Sequence, residues 1–303
     1  MTTLLDIAVM NGSDRVAGLI EEATKAHPEI NRAARTIKGR QYKTLVRTAN
    51  PTVSFRNANE GQAGTKSTYE NRLVETFILN PRYEVDKAVA DSHEDGWEVL
   101  LTNEASGHME ASMVTLAKQF YYGAENGGDA KGFPGLIDSY DAANMVVDAA
   151  GTTADTGSSV WAVKFGPKDV QWVAGQGGSF DESDVTLQRI LDGDGNPYTA
   201  YCQEILAYPG LQVGSVRSIG RIKKLTADSG KGLTDALVSQ LLSKFEVGIK
   251  PDVLFMSRRS LQQLQASRTA TTTTGAPAPF PEESHKIPIA VTDAILDTES
   301  LTL

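Results

Sequence analysis

The chain of 303 residues has few of the features that define several common protein classes. Its single cysteine, Cys202, excludes an intramolecular disulfide framework and a cysteine-based zinc cluster, and we expect it to be a small buried apolar residue. No run approaches 18 consecutive apolar residues, which argues against a membrane-spanning helix. The N-terminus lacks both the basic start and the apolar core of a secretion signal. A cytoplasmic protein held together by packing is expected.

Positive charge is also scarce, and it is unevenly distributed. The chain has 29 Lys and Arg against 38 Asp and Glu, so its net charge of −9 argues against an overall field that attracts nucleic acid. Residues 30–59 nevertheless contain no acidic residue. Their seven basic residues are Arg32, Arg35, Lys38, Arg40, Lys43, Arg47 and Arg56. The segment is interpreted as a solvated arm or, alternatively, as an arm that lies on acidic surfaces of neighbouring subunits or faces nucleic acid.

The sequence contains no recognisable catalytic, metal or phosphate motif. The four histidines lack metal-ligand spacing, and the glycine-rich "GQGGS" lacks the lysine of a phosphate-binding loop. The stretch "DGDGNPY" starts like a calcium loop, but Pro197 stands where glycine is required, so a hairpin turn is predicted instead. We therefore predict that the protein is not an enzyme and uses no cofactor or metal.

Two helices are predicted in the first half of the chain. Ser13 or Asp14 caps a short helix that ends before Pro28. A long helix over residues 93–122 follows a capping-box spacing of Ser92 and Asp95. Its apolar residues recur on one helical face. They are Trp97, Leu101, Ala105, Met109, Met113, Leu116 and Phe120.

Between these helices, residues 55–79 have a long polar lead-in followed by an alternating apolar stretch. The alternation predicts a strand from Tyr69 to about Val85, with Tyr69, Leu73 and Phe77 on one side and Val74 as an exception. With "TVSF" at 52–55 as its partner, the predicted element is a two-stranded hairpin with an apolar base and a polar tip. A lone two-stranded ribbon is marginal in water, so its outer part needs a partner.

The second half of the chain predicts a layered α+β unit. A helix with Leu237, Val238, Leu241, Leu242 and Phe245 inward is followed by a buried strand from Val253 to Met256, a helix capped by Ser257, and a closing strand in "HKIPIAVTDAI". The preceding short strands are rich in β-branched and aromatic residues. They are "SVWAVKF", "VQWVAG", "VTLQRIL", "YTAYCQEILAY" and "VRSIGRIKKL".

The order of several motifs resembles the major capsid proteins of tailed bacteriophages, whose fold is named after phage Hong Kong 97. The motifs are the FR-x-x-NEG hairpin, the long helix, "GFPGLID", "YPGLQVGSVRSIGRI", "KPDVLFMSRRSLQQL" and "IPIAVTDAI". The resemblance implies an α+β fold of four parts. These are an N-terminal arm with a short helix (1–52), an extended loop (53–79), a peripheral domain with a long spine helix (80–132 and 286–303) and an axial domain (133–285).

The resemblance also implies a function. A protein of this kind self-assembles into hexamers and pentamers that form an icosahedral shell around a phage genome, and it resides in the virion after assembly in the bacterial host cytoplasm. Its expected partners are copies of itself, separate scaffolding, portal or decoration proteins, and packaged DNA contacted without sequence specificity. The alternatives are the shell of an encapsulin-like protein nanocompartment and an α+β hydrolase. The predicted inter-subunit contacts are Arg32, Arg35, Arg40, Arg56, Glu60, Lys66, Glu70 and Arg72.

Overall fold

The computed structural model describes residues 27–32, 34–94, 96–178, 181–270 and 277–302. The helix predicted between Ser13 and Pro28 lies almost entirely outside them. The helices are α1 (Lys87–Ala90), α2 (Trp97–Tyr122), α3 (Leu136–Ser139), α4 (Asp235–Leu242) and α5 (Arg258–Ala270). The first strands are β1 (Ala34–Thr36), β2 (Gln41–Ala49), β3 (Thr68–Glu75), β4 (Arg82–Asp86) and β5 (Val146–Asp148). There follow β6 (Ser158–Val163), β7 (Val170–Ala174), β8 (Asp181–Glu182), β9 (Thr186–Leu191) and β10 (Pro197–Leu206). The last are β11 (Pro209–Val213), β12 (Ile219–Leu225), β13 (Val253–Met256), β14 (Glu283–Ser284) and β15 (Ile287–Val291).

A six-stranded mixed sheet with the order β14-β15-β13-β6-β12-β5 forms the centre of the second half. Strands β6 and β13 are buried along their whole length, which explains why their sequences are apolar at every position but for two serines. Alternate side chains enter two different cores: Trp161 and Phe255 pack beneath α2, whereas Ala162 and Leu254 pack beneath α4 and α5. The sheet is therefore the middle of three layers, as the predicted α+β unit requires.

Replacing core residues of this sheet tests the layered arrangement. Phe255 and Leu241 have no exposed surface, and they lie on opposite sides of the sheet. Phe255→Ala and Leu241→Ala are each expected to lower the free energy of unfolding by roughly 2 to 5 kcal/mol, because each leaves a cavity in a packed core. Chemical denaturation of the unassembled subunit measures the loss. Val247→Ala is the control, because Val247 is fully exposed, and equal losses in all three variants would contradict the assignment.

The long helix α2 is shorter than the sequence predicts. It begins at Trp97 rather than near residue 93, because Gly96 occupies the N-cap with φ of 90°, a left-handed conformation that suits glycine and interrupts the preceding turn. The predicted capping role of Ser92 is therefore wrong, and Asp95 lies outside the described residues. The predicted face is confirmed: Leu101, Ala105, Met109, Met113, Leu116 and Phe120 are all buried.

A four-stranded sheet joins the helix to the rest of the chain. Strand β10 pairs with β4 on one side and with β9 and β8 on the other, and the Tyr201 ring stacks on Trp97 with ring centroids 4.7 Å apart. The β4–β10 pair and the β13–β15 pair each join segments assigned above to different domains. The limits of the peripheral and axial domains remain a prediction.

Candidate assembly interface

Strands β2 and β3 form an isolated antiparallel ribbon that pairs Gln41 with Glu75 at its base and Ala49 with Thr68 at its outer end. The prediction that residues 52–55 form the first strand of the hairpin is wrong, and the ladder lies earlier in the chain. Beyond it, side-chain bonds link the two arms, from Thr65 Oγ1 to the Thr52 carbonyl (2.7 Å) and from Gln62 Nε2 to Ser54 Oγ (3.1 Å). Pro51 has no N–H to donate, which favours the end of the ladder there.

The base of the ribbon is fixed to its own subunit. The Thr76 amide donates to the Arg40 carbonyl (2.8 Å), the Phe77 amide donates to the Pro209 carbonyl (2.9 Å), and the Tyr42 hydroxyl bonds Gln212. A Cβ at Gly210 would stand 2.5 Å from the Glu75 carbonyl oxygen, so only glycine permits this close approach. The ribbon therefore projects from a defined platform.

The two faces of the ribbon differ in exposure. Residues directly opposite in the register share a face, so Tyr42 and Val74 lie together, and Val74 is buried. Leu73 (49% exposed) and Tyr69 (56%) lie on the other face with Leu45 (64%). The predicted alternation is present, with Tyr69 and Leu73 on one face, but Val74, which was treated as an exception, is the buried residue of the opposite face. The contact of Tyr42 with its own subunit determines which face of the ribbon is buried, and the opposite, apolar face is exposed to solvent.

The tip of the loop is ordered by its own polar groups. Asn57 donates to the Glu60 carboxylate from its backbone N–H (3.2 Å) and from its side-chain Nδ2 (3.1 Å). Arg56 Nη1 donates to the Glu60 carbonyl (2.7 Å). Asn59 takes φ of 69° between them, a conformation that asparagine tolerates better than most residues. Val53 (86% exposed) and Phe55 (fully exposed) stand next to this turn without apolar neighbours to cover them.

The predicted contact residues are thus spread over the ribbon and the segment before it. Arg56 and Glu60 meet in the tip turn, and Arg40, Lys66 and Glu70 are exposed along the ribbon. The remaining three contact their own subunit. Arg72 is half-buried with Nη1 3.5 Å from the Val213 carbonyl, Arg35 lies over the Tyr42 ring, and Arg32 lies over the rings of Phe165 and Phe255.

The segment before the ribbon packs against its own subunit. Strand β1 pairs in parallel with β7, and Trp172 Nε1 donates to the Glu29 carbonyl (2.8 Å). The Glu29 carboxylate is fully buried and accepts from Thr292 Oγ1 (3.1 Å). Burial, with the Glu29 carboxylate nearby, raises the pKa of Tyr121 well above its usual value. His27, Glu29 and Ile30 of the predicted arm are therefore buried in the subunit, and Ala34–Thr36 is a strand of one of its sheets.

Charge reversal distinguishes arginines that stabilise the fold of the subunit from arginines that are exposed to solvent. Arg32→Glu is expected to lower the free energy of unfolding by about 2 kcal/mol or more, because a carboxylate replaces a cation over two aromatic rings and adds negative charge three positions from the buried Glu29. Arg40→Glu is expected to leave the melting temperature unchanged and to weaken assembly most at low salt. Thermal unfolding and particle yield across ionic strength check both, and a stable Arg32→Glu subunit would contradict the first.

A buried ionic network that the sequence analysis missed lies at the far end of α2. Arg221 Nη2 is 3.1 Å from Glu299 Oε2, and both side chains are at most 2% exposed. Tyr122 and Ser159 each donate a hydroxyl to the Glu299 carboxylate at 2.5 Å, and Arg221 Nε donates to Ser159 Oγ (2.9 Å). Burial, with the Glu299 carboxylate nearby, raises the pKa of Tyr122. The network fastens the C-terminal segment to α2, β6 and β12.

The metal, thiol and turn motifs of the sequence analysis have the following positions in the structure. Among the described residues no group of three His, Cys, Asp or Glu side chains is placed to hold a metal ion. Cys202 is a free buried thiol, and Asp192 closes the β9–β10 hairpin by accepting the Asn196 amide (2.7 Å). No helix in the described part of the chain is both long enough and apolar enough to cross a membrane.

Comparisons with known proteins agree with the fold. The structure of bacteriophage epsilon15 matches with a TM-score of 0.62 and 19% identity, over 93% of this chain and 96% of that chain. The bacteriophage JBD30 capsid matches with a TM-score of 0.49 and 7% identity, over 86% and 88% of the two chains. The epsilon15 match confirms the predicted Hong Kong 97-like α+β capsid fold. A comparison with curated proteins finds no match. The family model described as "Major capsid protein GP7" matches residues 13–302, so the chain belongs to the major capsid protein GP7 family and is a structural protein of a phage capsid shell.

Proposed function

We propose that the subunit assembles into hexamers and pentamers of an icosahedral shell through its ribbon, which reaches over a neighbouring subunit. The single observation that carries this is the exposed apolar surface at Leu45, Phe55, Tyr69 and Leu73 on an element whose described contacts with the rest of the subunit lie near its base. A two-stranded ribbon gains little stability by itself, so a second copy that covers this surface would order it. The predicted contacts Arg40, Arg56, Glu60, Lys66 and Glu70 lie on the same element and would form the polar rim.

We further propose that the shell encloses a phage genome in the virion and that it forms in the host cytoplasm without catalytic activity of its own. The chain's net charge of −9 disfavours strong binding of DNA over the whole surface, so DNA contacts would be local and non-specific. Exposed basic residues near the ribbon base, such as Lys38 and Arg40, would supply such local charge. Scaffolding, portal and decoration proteins would act on the same subunit.

Electron microscopy of purified protein, followed by analysis of the contents, tests the proposal. Closed shells that contain nuclease-protected DNA in infected cells support it. Closed shells that contain protein in place of nucleic acid would favour a nanocompartment, and small particles that never close would contradict a shell built from this chain. Particles formed by the purified subunit without other proteins would also show whether a scaffold is required.

A further inference from the structure

The turn that follows α2 contains an asparagine directly before a glycine. The Gly128 amide donates to the Gly123 carbonyl (3.0 Å), which closes the turn, and we call residues 123–128 the α2-end turn. Within it Asn126 is half-buried and Gly127 is exposed. Asparagine is one of the thermally labile residues, and its stability depends on the residue that follows it. The α2-end turn is therefore a candidate for a change of covalent structure.

The backbone at Gly127 favours attack on the side chain of Asn126. Its φ is 114°, a conformation that suits glycine and strains other residues, so the turn itself calls for glycine at this position. Glycine has no side chain to obstruct the approach of its own nitrogen to the Cγ of the preceding asparagine. Within the described part of the chain the Gly127 N–H donates no hydrogen bond, so no acceptor holds this nitrogen away.

The amide of Asn126 links the α2-end turn to α3. Asn126 Nδ2 donates to Asp138 Oδ1 (2.8 Å), and the Gly135 amide donates to Asp138 Oδ2 (3.0 Å). A Cβ built at Gly123 would stand 1.9 Å from Asp138 Oδ2, so this oxygen packs closely against the end of α2. A carboxylate at position 126 would therefore stand next to a like charge, and the donor that now joins the two segments would be lost.

We propose that Asn126 is a deamidation site and that the carboxylate formed there detaches the α2-end turn from Asp138. The Gly127 nitrogen bonds to Asn126 Cγ, and the Cγ–Nδ2 bond breaks. The Gly127 nitrogen loses one proton and the leaving nitrogen gains one, so ammonia departs and a five-membered imide remains. Water then opens the imide at either carbonyl, which gives aspartate or isoaspartate. Water is the co-reactant, so the change accumulates with the age of the chain and does not depend on the proposed shell.

Asn144 provides a matched control within the same chain. Its Nδ2 donates to Asp141 Oδ2 (2.9 Å), so its side chain makes the same amide–carboxylate contact as that of Asn126. The residue that follows it is different. Met145 has a side chain and is buried, and its N–H donates to the Asp141 carbonyl (2.8 Å). The two asparagines therefore differ mainly in the nitrogen that would attack.

Mass spectrometry of the purified full-length subunit, aged in warm and mildly alkaline buffer, measures both conversions. Trypsin cleaves after Lys118, Lys131 and Lys164, which gives one peptide with Asn126 and the next with Asn144, and neither contains another asparagine. Asn126 is expected to convert about tenfold or more faster than Asn144, because the side chain and the hydrogen bond of the residue after Asn144 raise the barrier to attack. Isoaspartate among the products identifies the imide route. Equal rates, or an Asn126 that converts only in the urea-unfolded chain, would overturn the proposal.

Hydrogen exchange tests the detachment of the α2-end turn. Asn126→Asp is expected to speed exchange of the amides at 123–128 several-fold, because local opening of the turn becomes easier. Asn126→Ala is expected to speed it less, since it removes the hydrogen bond to Asp138 without adding charge. Adding Asp138→Asn to Asn126→Asp restores one donor and one carboxylate with their positions exchanged, and it is expected to return exchange close to the original rate. Equal exchange in Asn126→Asp and in the exchanged pair would overturn the detachment. All these measurements use the unassembled subunit, so they do not depend on whether shells form.

Discussion

Subunits that lack residues 53–64 are expected to fold and to fail to form shells. In this variant a two-residue Asn-Gly turn joins Thr52 to Thr65, whose side-chain bond of 2.7 Å already holds the two arms together. The whole β2–β3 ladder remains, and the deleted residues bury no apolar side chain, since Val53 and Phe55 are almost completely exposed. Shortening a flexible loop of this length changes closure entropy by less than about 1 kcal/mol.

The same deletion removes the tip turn of Arg56, Asn57 and Glu60 together with both apolar side chains beside it. A closed shell repeats that loss at every copy, so the expected yield of particles is below detection. Circular dichroism on heating and electron microscopy on one preparation measure both effects. A full-length variant with Val53→Ser and Phe55→Ser shows whether length or apolar surface is responsible. Normal shells from the deletion would contradict a role of the tip, and an unfolded subunit would show that it belongs to the core.

Glu299→Gln is expected to lower the free energy of unfolding by about 3 to 5 kcal/mol, because it leaves the buried Arg221 guanidinium without its counter-ion. The substitution preserves the shape of the side chain and replaces one of its two accepting oxygens by an NH2 donor, so the loss reports charge and one lost acceptor rather than volume. The Arg221 guanidinium lies 5.0 Å from the centroid of the Trp161 ring. We expect it to remain buried there without a counter-ion, which lowers the stability of the variant. Chemical denaturation of the unassembled subunit gives the value.

An exposed ion pair provides the matched control. Asp293→Asn removes the partner of Arg258, whose side chain is 78% exposed, and the expected loss is below about 1 kcal/mol. The double variant Arg221→Met with Glu299→Gln is expected to lose less free energy of unfolding than the two single variants lose together, because no buried charge then stays unpaired. Equal losses for Glu299→Gln and Asp293→Asn would contradict the importance of burial.

Much of the central sheet could be predicted from the sequence because its strands and helices have strong local signals. The apolar run at Val253–Met256 and the cap at Ser257, which accepts the Ser260 amide at 3.2 Å, are both present in the structure. The predicted start of α2 was wrong because the backbone at Gly96 takes a positive φ, which ends the preceding turn. The periodicity of apolar residues carries no information about that conformation.

The ribbon was harder to predict because contacts with the rest of the subunit, rather than its own sequence pattern, determine which of its faces is buried. The β2 segment contains several basic residues, so charge concealed its alternation, and the phase of β3 depends on which face meets Gln212. The Arg221–Glu299 pair was missed because the sequence around each residue does not indicate which distant residue it contacts. Contacts of this kind follow from the assembled tertiary structure, and so does the arrangement of predicted contact residues on the ribbon.

The C-terminal network has a consequence for the order in which the subunit folds. Tyr122 and Glu299 are 177 positions apart in the chain, and Arg221 and Glu299 are 78 apart. Contacts between such distant residues form late, because the intervening chain must first be brought into place. During synthesis, the layer beneath α2 therefore cannot close until the segment that carries Glu299 has left the ribosome. Until that segment is in place, the buried Arg221 guanidinium lacks its counter-ion.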